Sequence, residues 1–227
     1  MSFDVEAVLR EHADEGYRAF SARIIPTVDP ERMIGVRMPD LRKTAARMAR
    51  DPEAASLFMD ALPHAWYEED CLHGILISRL RDFDQAVREL NRFLPFVDNW
   101  AVCDLISPRA FGRAPSEALL GHAYRWMDAG ATYTTRFGIG VLMREFLGDR
   151  FEFSQLERAA ALPAGDYYVD MMVAWYVATA LGKRWDDALP VIERRLLPAG
   201  THGKAIQKAI ESRVIPKERK ELLRSLR

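Results

Sequence analysis

Along almost the whole chain, apolar residues return every three or four positions, the spacing of one face of an α-helix. Strict apolar–polar alternation is scarce, and neither Asn-Gly nor Asp-Gly, the usual hairpin dipeptides, occurs. The pattern predicts helices over 4–20, 39–50, 52–61, 67–80, 83–94, 97–106, 115–128, 132–147, 154–161, 166–182, 185–196, 202–212 and 216–226. Pro39, Pro52, Pro115 and Pro216 stand where helices begin, a place that tolerates proline because the first N–H groups have no intrahelical acceptor. Ser154 and Glu157 have the spacing of a capping box, and Gly148, Gly182 and Gly200 stand where helices are expected to end. So many short helices with short connections fit poorly in one compact bundle. Stacked helix pairs, an all-α helical-repeat solenoid, accommodate them without difficulty, although identity between successive units is weak.

Length and composition fill in this picture. At 227 residues, 49% hydrophobic and 29% charged, the chain can bury a sizeable core as one large domain or two small ones; a single repeat domain over 1–227 is expected. No apolar run reaches the roughly 18 residues that span a bilayer, and the acidic, amphipathic start MSFDVEAVLREHADEG has no signal-peptide pattern. Two cysteines, Cys71 and Cys103, argue against a disulfide framework, so a cytoplasmic location with no membrane contact is expected. The net charge of −1 hides two basic stretches. Residues 183–227 carry twelve Lys or Arg against six Asp or Glu, and residues 30–50 carry six against two. Solvated helix faces or an anionic partner would both explain them.

Several chemistries are excluded. There is no Walker loop, GxGxxG, GxSxG or HExxH. The spacing of His64, Cys71 and His73 matches no common zinc pattern, and no metal or other cofactor is expected. Three segments remain. In FVDNWAVCDLI, 96–106, Trp100 and Asp104 lie four apart on one helix face. That fits a half-buried indole beside a salt-bridged acid, or an aromatic platform and carboxylate that hold a cation. In TYTTRFGIGVLMREF, 132–146, Arg136 stands among apolar residues and needs an anion, which a structural carboxylate or a phosphate would supply. In YYVDMMVAWYVATAL, 167–181, Trp175 is a core residue or part of an exposed surface, and Asp170 needs a partner on a neighbouring helix. Adjacent units of a solenoid would line these residues along one concave surface able to receive a nucleic-acid backbone.

The chain resembles the AlkD-type DNA alkylation repair proteins, which are bacterial glycosylases built of HEAT-like repeats. The resemblance is carried by IGVRMPDLRK at 34–43, VDNWAVCDLI at 97–106, TTRFGIGVLM at 134–143, YYVDMMVAWYVATAL at 167–181 and HGKAIQKAIESRVIP at 202–216. It implies a HEAT-like superhelix with a concave DNA-binding groove. The implied activity is hydrolysis of the N-glycosidic bond of cationic alkylpurines, such as 3-methyladenine and 7-methylguanine, in double-stranded DNA. It also implies that Asp104 is catalytic and that Trp100, Arg136 and Trp175 contact DNA. Lys204 and Lys208, in the basic C-terminal stretch, would add phosphate contacts. A monomer is expected, since a groove that follows a duplex needs no second chain. Relatives offer a further aromatic in the first repeats, whereas IIPTVDPERM at 24–33 has none. A helical-repeat module that binds DNA, or another protein, without chemistry is the alternative.

Overall fold

The computed structural model describes residues 4–227, and among these it contains fourteen α-helices and no strand. The chain divides into two compact units, Met1–Ala114 and Pro115–Arg227. The first holds α1 Val5–Arg10, α2 Glu15–Ile24, α3 Met38–Met48, α4 Pro52–Asp60, α5 Tyr67–Arg79, α6 Phe83–Phe93 and α7 Trp100–Leu105. The second holds α8 Ser116–Met127, α9 Thr132–Glu145, α10 Phe153–Ala160, α11 Tyr167–Lys183, α12 Trp185–Glu193, α13 Ala199–Glu211 and α14 Lys217–Ser225.

Twelve of the thirteen expected helices are present with ends within three residues; the segment 4–20 differs. It breaks into α1 and α2 because Asp14 takes an extended backbone and caps α2, accepting from Tyr17 N at 2.9 Å. The Asp14 N–H donates to the carbonyl of Gly35 at 3.1 Å, so a tertiary contact fixes the break. Periodicity runs on across the break and hides it. Asp51, Asp82 and Asn99 cap α4, α6 and α7 in the same way, each cap contributing about 1 kcal/mol. The start of α10 also departs from expectation. Gln155 accepts from the Glu152 N–H at 3.2 Å, so the cap lies two residues before the expected Ser154–Glu157 pair. Gly182 lies inside α11, and Gly200 lies in the first turn of α13 rather than after a helix.

In the first unit α5 is the central helix and packs on α1, α3, α4, α6 and α7. Its residues from Cys71 to Ile77 are all buried. In the second unit α9, α11 and α13 pack side by side as one layer, while α8 packs on α9 and α12 on α11 and α10. These layer helices are apolar on most sides because they are covered from two directions; in α9 every residue from Tyr133 to Met143 is buried.

The contact between α8 and α9 depends on Gly138. A Cβ there would come within 2.7 Å of the Ala123 carbonyl oxygen and 2.8 Å of Met127. Gly138→Ala is therefore expected to destabilise the protein by about 1–3 kcal/mol even after the roughly 1 kcal/mol that alanine gains in a helix. The midpoint of urea unfolding measures this. An unchanged or higher midpoint would show that the two helices can separate without cost.

Candidate functional site

Helix α7 is set by its N-terminus. Asn99 is buried, at 1% exposure, and its side chain accepts from Val102 N at 2.9 Å while donating to Asp98 Oδ1 at 2.9 Å. Val102, Cys103 and Ile106 then face the core. This leaves Trp100 and Asp104 half-buried on the opposite face, one turn apart. The Trp100 indole N–H donates to the carbonyl of Ile24 at 3.1 Å, which fixes the ring by its edge. The segment 24–33, where no aromatic was found, thus supplies a backbone acceptor to the indole. An aromatic does lie one helical turn earlier on α2: Phe20 is 45% exposed and stacks with Tyr17 at 6.1 Å.

A polar network that the sequence did not reveal holds this segment in place. Arg32 donates to Asp98 Oδ2 at 2.7 Å, to Asp70 Oδ2 at 3.1 Å and to the carbonyl of Ala65 at 3.2 Å. It thereby joins the 24–33 segment, the start of α5 and the residue before the α7 cap. Burial of Asp70 pushes its carboxyl up, to about 8, more than Arg32 draws it down. Beside it Glu68, 1% exposed, accepts from the N–H groups of Ile34, Gly35 and Val36 at 2.9, 2.6 and 3.3 Å. Three successive N–H groups converge because Gly35 has φ +92°, a left-handed conformation that other residues rarely adopt. Gly35 and the Asp-Asn pair at 98–99 were the only signals of this network in the sequence. Nothing marked Arg32 among the arginines of 30–50.

The second unit contains the other expected residues. Arg136 is buried, at 6% exposure, and its Nη1 donates to the carbonyl of Tyr168 on α11 at 2.8 Å. Its guanidinium is thus anchored between two layer helices rather than spread on a surface. Trp175, on α11, is 41% exposed and so is not a core residue. It shares a cleft of about 490 Å³ with Thr179, Lys183, Lys208 and Val214. Lys204 lies 3.9 Å from Asp170 and over the Tyr167 ring at 5.4 Å, giving Asp170 its partner on α13. The structure therefore places Trp100 and Asp104 one turn apart on α7 in the first unit, and in the second places Arg136, Trp175, Lys204 and Lys208 on three adjacent layer helices.

His64 and His73 form a structural pair. His64 Nε2 and His73 Nδ1 are hydrogen-bonded at 2.8 Å, with His64 stacked on Phe58 and His73 on Phe93. Among the described residues no three His, Cys, Asp or Glu side chains group to hold a metal ion. Burial holds His64 down at about 4 and His73 at about 3, well below a free imidazole. The unfolded chain consequently binds protons that the folded chain refuses between about pH 6.5 and 3. The histidines' contribution to stability is complete above that window and is lost as pH falls through it, by several kcal/mol for the pair. Asp70, with its raised value, has the opposite sign, losing stability as pH rises toward 8. Unfolding free energy plotted against pH for wild type and for His64→Leu/His73→Leu isolates the histidines. A flatter acid limb is expected in the variant, and parallel limbs would contradict it.

Among the described residues no helix is long and apolar enough to cross a membrane. A family model described as DNA alkylation repair enzyme matches residues 5–167. No curated protein and no solved structure matches the chain.

Proposed function

The chain belongs to the DNA alkylation repair enzyme family, and from that premise we propose that it is a glycosylase hydrolysing the N-glycosidic bond of cationic alkylpurines in double-stranded DNA. The observation that carries this reading is the pair on α7, a half-buried carboxylate one turn from an indole whose edge is fixed by Ile24.

Alkylation at N3 or N7 gives a purine a positive charge and makes it a good leaving group. As the bond to C1′ breaks, the positive charge moves onto the deoxyribose. A carboxylate beside C1′ stabilises that oxocarbenium-like state and orients the attacking water. In this scheme Asp104 acts in its ionised form, and the electron-rich face of Trp100 favours the same cationic state. The proton released by the attacking water passes to solvent or to Asp104, and the neutral alkylpurine departs, leaving an abasic site. Phe20, exposed one turn before Ile24, offers a further ring to the lesioned nucleotide.

We read the layered helix pairs within each unit as HEAT-like repeats. In the second unit the α9–α11–α13 layer would meet the DNA backbone. Trp175 and Lys208 share a cleft there, and Lys204 is held by Asp170 and Tyr167. Arg136, anchored to Tyr168, fixes α9 against α11 and adds positive charge to that layer. The lesion need not enter a deep pocket, because recognition comes from its charge and from contacts to the backbone.

The test is base release. The full chain is incubated with a duplex containing 7-methylguanine, and free base is quantified by mass spectrometry. Release well above spontaneous depurination is expected. Tight duplex binding with release only at the spontaneous rate would favour a DNA-binding module without chemistry.

A further inference from the structure

The first unit has a second concavity that uses neither Trp100 nor Asp104. It lies among α4, the end of α5 and α6, has a volume of about 390 Å³, and is walled on one side by Pro52, Ala55, Met59 and Leu76. Arg79, Arg81 and Arg109 line its other side. Arg81 and Arg109 also line an adjoining recess of about 260 Å³, whose remaining walls are Ala110 and Arg113. The two recesses therefore meet at a shared pair of guanidiniums.

The acids near these recesses are already engaged. Asp60 and Glu89, which line the larger recess, both accept from Arg92, at 2.5 and 3.0 Å, so their charge is partly offset and their oxygens are turned to that guanidinium. Arg79, Arg81, Arg109 and Arg113, in contrast, have no hydrogen-bonded or ion-paired side-chain partner among the described residues. Three guanidiniums around one small recess concentrate positive charge that an anion placed between them would offset. The loop that carries two of them is held in place. Arg109 N and Ala110 N donate to the carbonyls of Ser78 and Leu80, each at 3.1 Å, and Ser107 N donates to Ser78 Oγ at 2.9 Å. These bonds also cap carbonyls at the end of α5 that would otherwise repel an anion.

We infer that the joined recesses bind a phosphorylated small molecule of nucleotide size. Its phosphate lies among Arg81, Arg109 and Arg113, and its flat or apolar body lies against the Pro52–Met59 wall. Planar guanidinium forks suit a phosphomonoester, which offers three terminal oxygens and up to two charges. A recess of this size that combines an apolar wall with convergent polar groups is a common form of small-ligand site. Phosphate also occurs in the DNA backbone, but a diester passing over the surface would leave the Pro52–Met59 wall of the larger recess unused.

Calorimetric titration of the full chain with 2′-deoxyadenosine 5′-monophosphate, deoxyadenosine and inorganic phosphate tests the assignment. The monophosphate is expected to bind at least tenfold more tightly than the other two. Arg81→Gln and Arg109→Gln, both at exposed positions, are each expected to weaken it about tenfold while undamaged duplex DNA binds as before. No monophosphate binding, or binding no tighter than that of phosphate alone, would overturn the inference. Equal weakening of duplex binding by the same substitutions would overturn it too, by making these arginines backbone contacts. Nucleotide binding is read independently of base release, so failure here leaves the glycosylase reading standing, and the converse holds.

Discussion

Replacing Asp104 with Asn is expected to lower single-turnover release of 7-methylguanine by about 10²- to 10³-fold, the usual loss when one group that stabilises transition-state charge is removed. The substitution keeps the shape and hydrogen-bonding reach of the side chain and removes its charge. On the proposed mechanism the charge matters most as the C1′ bond breaks. Asn99 caps α7, Val102 and Cys103 are buried, and asparagine keeps the size and polarity of the replaced side chain, so the fold should survive. Duplex affinity should change by no more than about twofold, because the loss is confined to the transition state. A smaller loss in release, or a parallel loss in duplex affinity, would place Asp104 in binding rather than in chemistry.

Glu68→Leu is expected to have the largest effect on stability. The carboxylate is 1% exposed and takes three backbone N–H groups from 34–36. Leucine fills similar volume but leaves those donors buried without an acceptor. Breaking such an arrangement typically costs about 3–5 kcal/mol. A shift of the urea midpoint with unchanged slope would report it. Glu68→Gln, which keeps one acceptor oxygen, should lose distinctly less. Equal losses for Gln and Leu would indicate that volume rather than hydrogen bonding sets the cost. The segment held by Glu68 and Arg32 also carries the carbonyl that fixes Trp100, so base release should fall in the leucine variant even at temperatures where it remains folded.

What could be read from the sequence follows from what periodicity encodes. Helices such as α6 and α10 were evident because an apolar face repeats every turn, whereas α5, α9 and α11 are apolar on most sides and were marked by the length of their apolar runs. Their caps were less so. Asp14 starts α2 after α1 has ended at Arg10, and the extended backbone, the cap on Tyr17 and the bond to Gly35 that fix it there are not encoded in periodicity. Trp100 and Asp104 could be paired from spacing alone, since both lie on one helix. The burial of Arg136 and the exposure of Trp175 depend on neighbouring helices and were open until those were placed. The Arg32–Asp70–Asp98 contacts join residues 38 and 66 positions apart, a separation at which pattern carries no information.

The central physical claim is that the α7 carboxylate and indole stabilise positive charge on the sugar of a departing purine. The most direct measurement compares single-turnover base release from two duplexes identical except for the lesion, one with cationic 7-methylguanine and one with neutral O6-methylguanine. Rapid release of the first with the second left intact is the expected result. Release of both at similar rates, or of the first only at its spontaneous rate, would contradict it.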